Sequence, residues 1–128
     1  MSQGRTIAGL LARSWDSCVK SPEVTEEELS QVAPLLVAAG CAGLAWRVVA
    51  ETPVGRTPTA ADLLEHYRDQ NIKAALLEQG AERVFKALRG AGIEPVLVKG
   101  WAVARLYPEV GLRPYSDVDI CVPPGRAS

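Results

Sequence analysis

Two aspartates, Asp117 and Asp119, stand two residues apart near the end of this chain of 128 residues. Val118, Ile120 and Val122 alternate with them, and this period of two predicts a half-buried β-strand with both carboxylates on one face. At a rise of about 3.3 Å per residue, the two α-carbons lie roughly 6.5 Å apart, so both carboxylates can reach one or two divalent cations. Mg²⁺ suits such a site because it takes oxygen ligands, but the pair alone is weak evidence, since most acidic pairs at strand ends are merely solvated.

A strand, a turn and a helix are predicted just upstream. The apolar run Val96 to Val98 predicts a strand that is buried on both faces. Lys99 and Gly100 end this strand, and Gly100 permits a tight turn and a close approach of the backbone to a ligand. Residues 101–107 have the spacing of a short helix that Pro108 ends, and the amide groups at the start of a helix can hold a phosphate.

Two cationic side chains and one hydroxyl lie close to these elements in the sequence. Lys99 as a point charge and Arg113 by a bidentate contact can each neutralise a triphosphate. The structural alternative has Lys99 capping the strand end in solvent and Arg113 pairing with Asp117 or Asp119. Ser116 either bonds a phosphate or shapes the turn before the strand.

Aromatic residues and the single histidine offer fewer candidates. Trp15, Trp46 and Trp101 are predicted to be core residues, and Trp101 has the alternative of bordering a base or acceptor pocket because it follows the turn. His66 lies among charged residues in a predicted helix, where a surface or packing role is favoured over catalysis.

Four short motifs, in this order, resemble the family of uncharacterised nucleotidyltransferases within the polymerase-beta-like superfamily. They are Lys99-Gly100, Leu106-Tyr107-Pro108, Gly111-x-Arg113-Pro114 and Asp117-Val118-Asp119-Ile120. The pattern of that superfamily is a strand, a glycine-containing turn that opens a helix, and Asp-x-Asp on the next strand. This sequence is similar to the variant with Lys-Gly where many relatives have Gly-Ser or Gly-Gly.

The resemblance implies a metal-dependent transfer of a nucleoside monophosphate from a nucleoside triphosphate, ATP or another, to an unidentified acceptor. It implies that Asp117 and Asp119 bind Mg²⁺ or Mn²⁺ and act in catalysis. It also implies that Gly100 and the following turn face the nucleotide phosphates. Such enzymes use a third carboxylate on a later strand, and no acidic residue follows Asp119 here.

That departure leaves three further interpretations open. The chain is a non-catalytic nucleotide-binding or interaction module, a subunit that a partner chain completes, or the front of a longer enzyme. An unpaired sheet edge after the second strand would favour a homo-oligomer.

Composition limits the class of protein. Apolar residues make up 48% of the chain and the net charge is −1, which indicates a soluble globular protein without a strongly basic nucleic-acid surface. The three cysteines are odd in number and widely spaced, which favours a reducing cytoplasm. The uncharged segment 32–46 is shorter than the roughly 20 residues that span a bilayer, and it predicts buried helices joined near Gly40.

Helices are predicted ahead of the candidate site. Thr25 and Glu28 form a capping-box pattern, and Pro34 should break or restart the helix that begins there. A second helix is predicted from about 42 to 50, followed by a loop at 51–58 that contains proline and glycine.

A long helix is predicted next, from caps at Thr59 and Asp62 to about Arg89. Gly80 favours a bend or a break within it. The face predicted to pack on the sheet consists of Leu77, Ala81, Val84 and Leu88, with Phe85 beside them.

The fold class predicted from these elements is α+β, with N-terminal helices followed by a small nucleotidyltransferase-like sheet that ends after its second strand. Residues 1–58 form a helical subregion, and 59–128 hold the long helix and the start of the core. The two parts are predicted to make one continuous domain.

Overall fold

The structure, a computed structural model, describes residues 2–115 and 117–125. Ser116, one of the predicted phosphate contacts, therefore lies outside the described residues. The chain divides into two compact units, Met1–Asp69 and Gln70–Ser128, and the division falls inside its longest helix. In the described residues, the first unit is helical and the second carries the sheet.

Helices α1 (Gln3–Trp15), α2 (Glu26–Ala38) and α3 (Ala42–Val49) build the first unit, together with the start of α4 (Pro58–Gly90). A 3₁₀ turn at Pro53–Arg56 lies in the predicted loop. The largest apolar side chains that are fully buried there are Leu10, Leu29, Val32, Leu36, Val49 and Leu63.

The predicted core position of Trp15 is wrong, because its side chain is 57% exposed. Trp15 follows the buried Leu10 by five residues, which places it about 140° around the helix from that position. Trp46 is partly buried and packs against the core of the first unit.

The helix start at Thr25 is confirmed. The Thr25 hydroxyl accepts a hydrogen bond from the backbone N–H of Glu28 at 3.1 Å and donates one to the Glu28 carboxylate at 3.2 Å. The junction near Gly40 is also confirmed, since α2 and α3 are separate helices and Gly40 has a φ of 74° between them. Among the described helices, none is long and apolar enough to cross a membrane.

The predicted break at Pro34 is wrong, because α2 continues through it. Proline removes the amide that would bond to the carbonyl of Ser30. Both residues are exposed, so water can satisfy that carbonyl, while the buried Leu29 and Leu36 hold the helix on the core. Packing therefore outweighs the local cost of the proline.

Helix α4 is 33 residues long and begins before the predicted cap. The N–H of Ala60 bonds to the Thr57 hydroxyl at 3.4 Å, so Thr57 is the cap and the prediction of Thr59 is wrong. Pro58 takes the first helical position, where its missing N–H has no intrahelical partner to lose. The helix is unbroken at Gly80, where the sequence predicts a bend or a break.

The buried face of the second half of α4 differs in part from the prediction. Ala74 and Ala81 are buried and Leu77 and Leu88 partly so, whereas Val84 is 46% exposed. The burial of the stripe is confirmed except at Val84, where the neighbouring Phe85 is partly buried instead, and Ala74 extends the covered side toward the start of the helix.

The second unit continues from α4 into β1 (Val96–Val98), α5 (Lys99–Ala104), a 3₁₀ turn (Val110–Leu112) and β2 (Asp119–Cys121). The two strands pair antiparallel. This mostly helical chain with a small antiparallel sheet agrees with the predicted α+β class. Helix α5 begins two residues earlier than predicted and ends before Pro108, because the amides of Leu106 and Tyr107 bond three residues back in a tighter turn.

The strands are shorter and more exposed than the sequence predicts. Val96 is 57% exposed, so the prediction that β1 is buried on both faces is wrong. In the described part of the chain the sheet has two strands, which leaves the outer side of β1 uncovered. Asp117 precedes β2, and Val122 follows it with 44% of its surface exposed.

Gly111, in the 3₁₀ turn, packs closely on α4. A β-carbon at this position would lie 2.9 Å from the α-carbon of Asn71, closer than real side chains approach a backbone. Only glycine therefore lets this turn lie directly on the helix.

We expect Gly111→Ala to lower the free energy of unfolding by about 1–3 kcal/mol, because the turn must move away from Asn71. Gly80→Ala is the matched control, since a β-carbon there meets nothing within 4 Å. That change should raise the free energy of unfolding by roughly 0.5–1 kcal/mol. Urea unfolding followed by circular dichroism measures both, and equal effects of the two changes would contradict the close packing.

Candidate functional site

The register of the sheet brings the turn after β1 next to the predicted metal ligands. Val98, the last residue of β1, pairs with Asp119, the first residue of β2. Lys99 and Gly100 follow Val98 directly, and Asp117 precedes Asp119 by two residues. The predicted turn and the predicted Asp-x-Asp therefore meet at one end of the sheet.

An ion pair links the two segments. The Lys99 ammonium nitrogen lies 3.7 Å from an oxygen of the Asp119 carboxylate. Both groups are open to solvent, with the Lys99 side chain 73% and the Asp119 side chain 36% exposed. Asp117 is exposed as well. An exposed pair of this kind contributes at most about 1 kcal/mol to stability, so it can be exchanged for another cation or anion.

The backbone at the turn is strained at Lys99. Its φ is 60°, in the left-handed region that a side chain other than glycine rarely adopts. The unusual dihedral therefore falls one residue before Gly100, the residue that the sequence predicts to permit the tight turn.

Gly100 is needed for close packing instead. A β-carbon there would lie 3.1 Å from a terminal nitrogen of Arg113 and 3.3 Å from the β-carbon of Tyr115. That Arg113 nitrogen donates a hydrogen bond to the Gly100 carbonyl at 3.3 Å. The predicted pairing of Arg113 with an aspartate is thus replaced by a contact that holds the start of α5.

Tyr115 anchors the same loop to α4. Its hydroxyl donates a hydrogen bond to the carbonyl of Ala74 at 3.4 Å. Burial raises the pKa of Tyr115, the negative charge of Glu78 raises it further, and Arg105 opposes the shift. The neutral phenol that this bond requires is therefore favoured.

Trp101 lies beneath the turn, on the side of α4. Its side chain is 4% exposed and packs edge-on against Phe85, with ring centroids 6.1 Å apart. The guanidinium of Arg105 lies 5.4 Å from the Trp101 ring and 3.5 Å from Glu78. These residues and Leu97 line a groove of about 680 Å³. Trp101 is thus a core residue of the second unit, as predicted.

The donor set fits a divalent cation with few protein ligands. Among residues 2–115 and 117–125, no group of three or more His, Cys, Asp or Glu side chains is arranged around one point. Asp117 and Asp119 offer two carboxylates, and Mg²⁺ commonly uses one or two carboxylates together with water and substrate phosphates.

Sequence reasoning missed two positioning residues. Tyr115 lies between two motifs without belonging to either. Asn71 gave no signal, because helix periodicity alone does not identify which helix residue packs against Gly111. The glycine of the Gly111-x-Arg113-Pro114 motif was the available indication that a close packing contact exists.

Comparison with known proteins gives one family. A family model described as an uncharacterised nucleotidyltransferase matches residues 25–128. No curated protein and no solved structure matches the chain.

We expect Tyr115 to ionise above the ordinary tyrosine pKa of 10.0. Because its pKa is raised in the folded chain, its stabilising contribution is complete below the ordinary pKa and is lost as the pH rises through the folded value. Absorbance at 295 nm, compared between the unchanged chain and Tyr115→Phe, isolates this titration. Glu78→Gln should lower the pKa of Tyr115, and a Tyr115 titration at or below the ordinary value would contradict the assignment.

Proposed function

The chain belongs to the family of uncharacterised nucleotidyltransferases, and we propose that it transfers a nucleoside monophosphate from a nucleoside triphosphate to a hydroxyl-bearing acceptor. The observation that carries this proposal is the meeting of Asp117 and Asp119 with the Lys99-Gly100 turn at one end of the sheet. Carboxylates for a cation and a cationic group for phosphates are the parts that this reaction needs.

The proposed reaction is an in-line displacement at the α-phosphorus. The bond from the acceptor oxygen to this phosphorus forms, and the bond to the oxygen that bridges to the β-phosphorus breaks. Pyrophosphate leaves with the bonding electrons, and the acceptor proton passes to a base or to water. Bound Mg²⁺ would neutralise charge on the attacking and leaving oxygens.

In this proposal each residue of the site has a separate role. Asp117 and Asp119 bind the cation, and Lys99 contacts the phosphates from the turn. The backbone of Gly100 and the following turn faces the phosphates, while Arg113 fixes that backbone through the Gly100 carbonyl and keeps further N–H donors for phosphate. Trp101 supports the turn from below, since its ring is buried on the side of α4.

Nucleotide binding without turnover is the second candidate. It needs only the binding part of the site, in which the exposed Lys99–Asp119 pair can exchange its partners for phosphate and a cation. Both candidates require the cation site, and they differ in whether pyrophosphate is released. A coupled assay for pyrophosphate, run with Mg²⁺ and a mixture of the four nucleoside triphosphates, separates them.

We expect Asp117→Asn and Asp119→Asn each to weaken cation-dependent nucleotide binding by on the order of tenfold or more, because each removes a charged ligand. Asparagine keeps the size of the side chain. Binding is measured as the fluorescence anisotropy of a labelled nucleoside triphosphate, with Mg²⁺ and with a chelator.

Asp69→Asn is the control, because Asp69 is an exposed aspartate of α4 and its change alters the net charge equally. Binding that stays the same in both site variants would rule out the cation site. Binding that falls equally in the control would mean that net charge alone is responsible.

A further inference from the structure

Two unusual features coincide at Lys99. It has the only positive φ among the described residues other than glycine. Its ammonium also pairs with Asp119, a proposed cation ligand, at 3.7 Å. Strained backbone that persists at a cleft or turn indicates a functional constraint on the residue.

We propose that Lys99 makes cation binding at Asp119 depend on the nucleotide. Without nucleotide, the ammonium compensates the Asp119 charge and competes with a free divalent cation. When a nucleoside triphosphate arrives, the ammonium moves to its phosphates and leaves Asp119 to the cation that the nucleotide carries. This inference rests on the proposed function and concerns the regulation of cation binding at its site.

Exposure of the ion pair allows the exchange. With 73% of the Lys99 side chain and 36% of the Asp119 side chain open to solvent, neither charge depends on the other for its solvation. A fully buried pair would be locked in place by the cost of separating it. The long, flexible lysine stem carries a compact charge that can turn from one oxygen ligand to another.

The backbone beneath Lys99 stays fixed while its side chain moves. The carbonyl of Gly100 accepts the bond from Arg113, and the β-carbon of Tyr115 lies against Gly100. On the other side, Val98 is paired with Asp119. The Lys99 side chain therefore rotates about a fixed backbone. Its ammonium can reach both the Asp119 carboxylate and the space beside the turn.

Strain explains why the residue identity matters. Glycine would adopt a φ of 60° without steric cost, so the backbone alone would favour glycine at this position. The chain carries lysine there instead, which supports a role for the charge of the side chain.

The test uses Lys99→Gln, which removes the charge and keeps a side chain of similar shape. We expect the affinity for Mn²⁺ alone, measured by electron paramagnetic resonance, to rise about two- to fivefold, since an exposed competitor is removed. The affinity for the Mn²⁺ complex of a non-hydrolysable nucleoside triphosphate should fall about tenfold, because a charged phosphate contact is lost. A merely structural role would not move the two affinities in opposite directions.

Three further variants complete the design. Lys99→Arg keeps the charge and places a bidentate guanidinium beside Asp119, so it should leave the affinity for the nucleotide complex within about twofold and should not raise the affinity for Mn²⁺ alone. Lys99→Gly should match Lys99→Gln in binding and raise the midpoint of thermal unfolding, because it relieves the backbone strain. Lys73→Gln, on the exposed surface of α4, changes the net charge equally and should alter neither affinity.

Asp119→Asn keeps this proposal distinguishable from the function on which it rests. If Asp119→Asn leaves Mn²⁺ binding unchanged, the cation site itself is wrong. If Asp119→Asn abolishes binding while Lys99→Gln leaves the affinity for Mn²⁺ alone unchanged or lower, the role of Lys99 is overturned and the cation site stands.

Discussion

The antiparallel pairing of Val98 with Asp119 is the constraint on which the candidate site depends. It fixes which residue of the turn meets which residue of the second strand, and a slip of one position would turn the Asp119 side chain to the other face of the sheet. Two strands of three residues are too short to set this register alone, because an isolated two-stranded ribbon is marginally stable in water. The register must therefore be held by what packs against the ribbon.

The second half of α4 supplies that support from one face of the helix. Each contact joins a residue of α4 to a different part of the segment that follows, and the spacing of three, four and seven residues keeps the α4 members on one stripe. The contacts are Asn71 with Gly111, Ala74 with Tyr115, Glu78 with Arg105, and Phe85 with Trp101. Because α5, the 3₁₀ turn and the loop before β2 connect the two strands and are all attached to the same stripe, the path between the strands is held against α4.

Local signals in the sequence predicted the positions of helices and strands better than the tertiary contacts around them. The capping pattern at Thr25, the junction at Gly40 and the first strand at Val96 depend on residues adjacent in the chain, so periodicity and turn chemistry were sufficient. Pro34 was misjudged because burial of neighbouring leucines, a tertiary effect, outweighs a local cost. The site was predicted as a set of residues, but the pairing of Lys99 with Asp119 and of Arg113 with Gly100 depends on register and loop path, which one sequence does not specify.

The division of charge at the turn follows from those two pairings. Arg113, with a planar guanidinium suited to directed hydrogen bonds, holds a backbone carbonyl that must not move. Lys99, with a compact charge on a flexible stem, faces a carboxylate that must change partners if a cation is to bind. If the two residues were exchanged, the bidentate hydrogen bonds of arginine would hold the Asp119 carboxylate. The flexible lysine would then hold the Gly100 carbonyl, and with it the turn, less firmly. The strained backbone at Lys99 is consistent with this order, since a residue that served only to form the turn would be glycine.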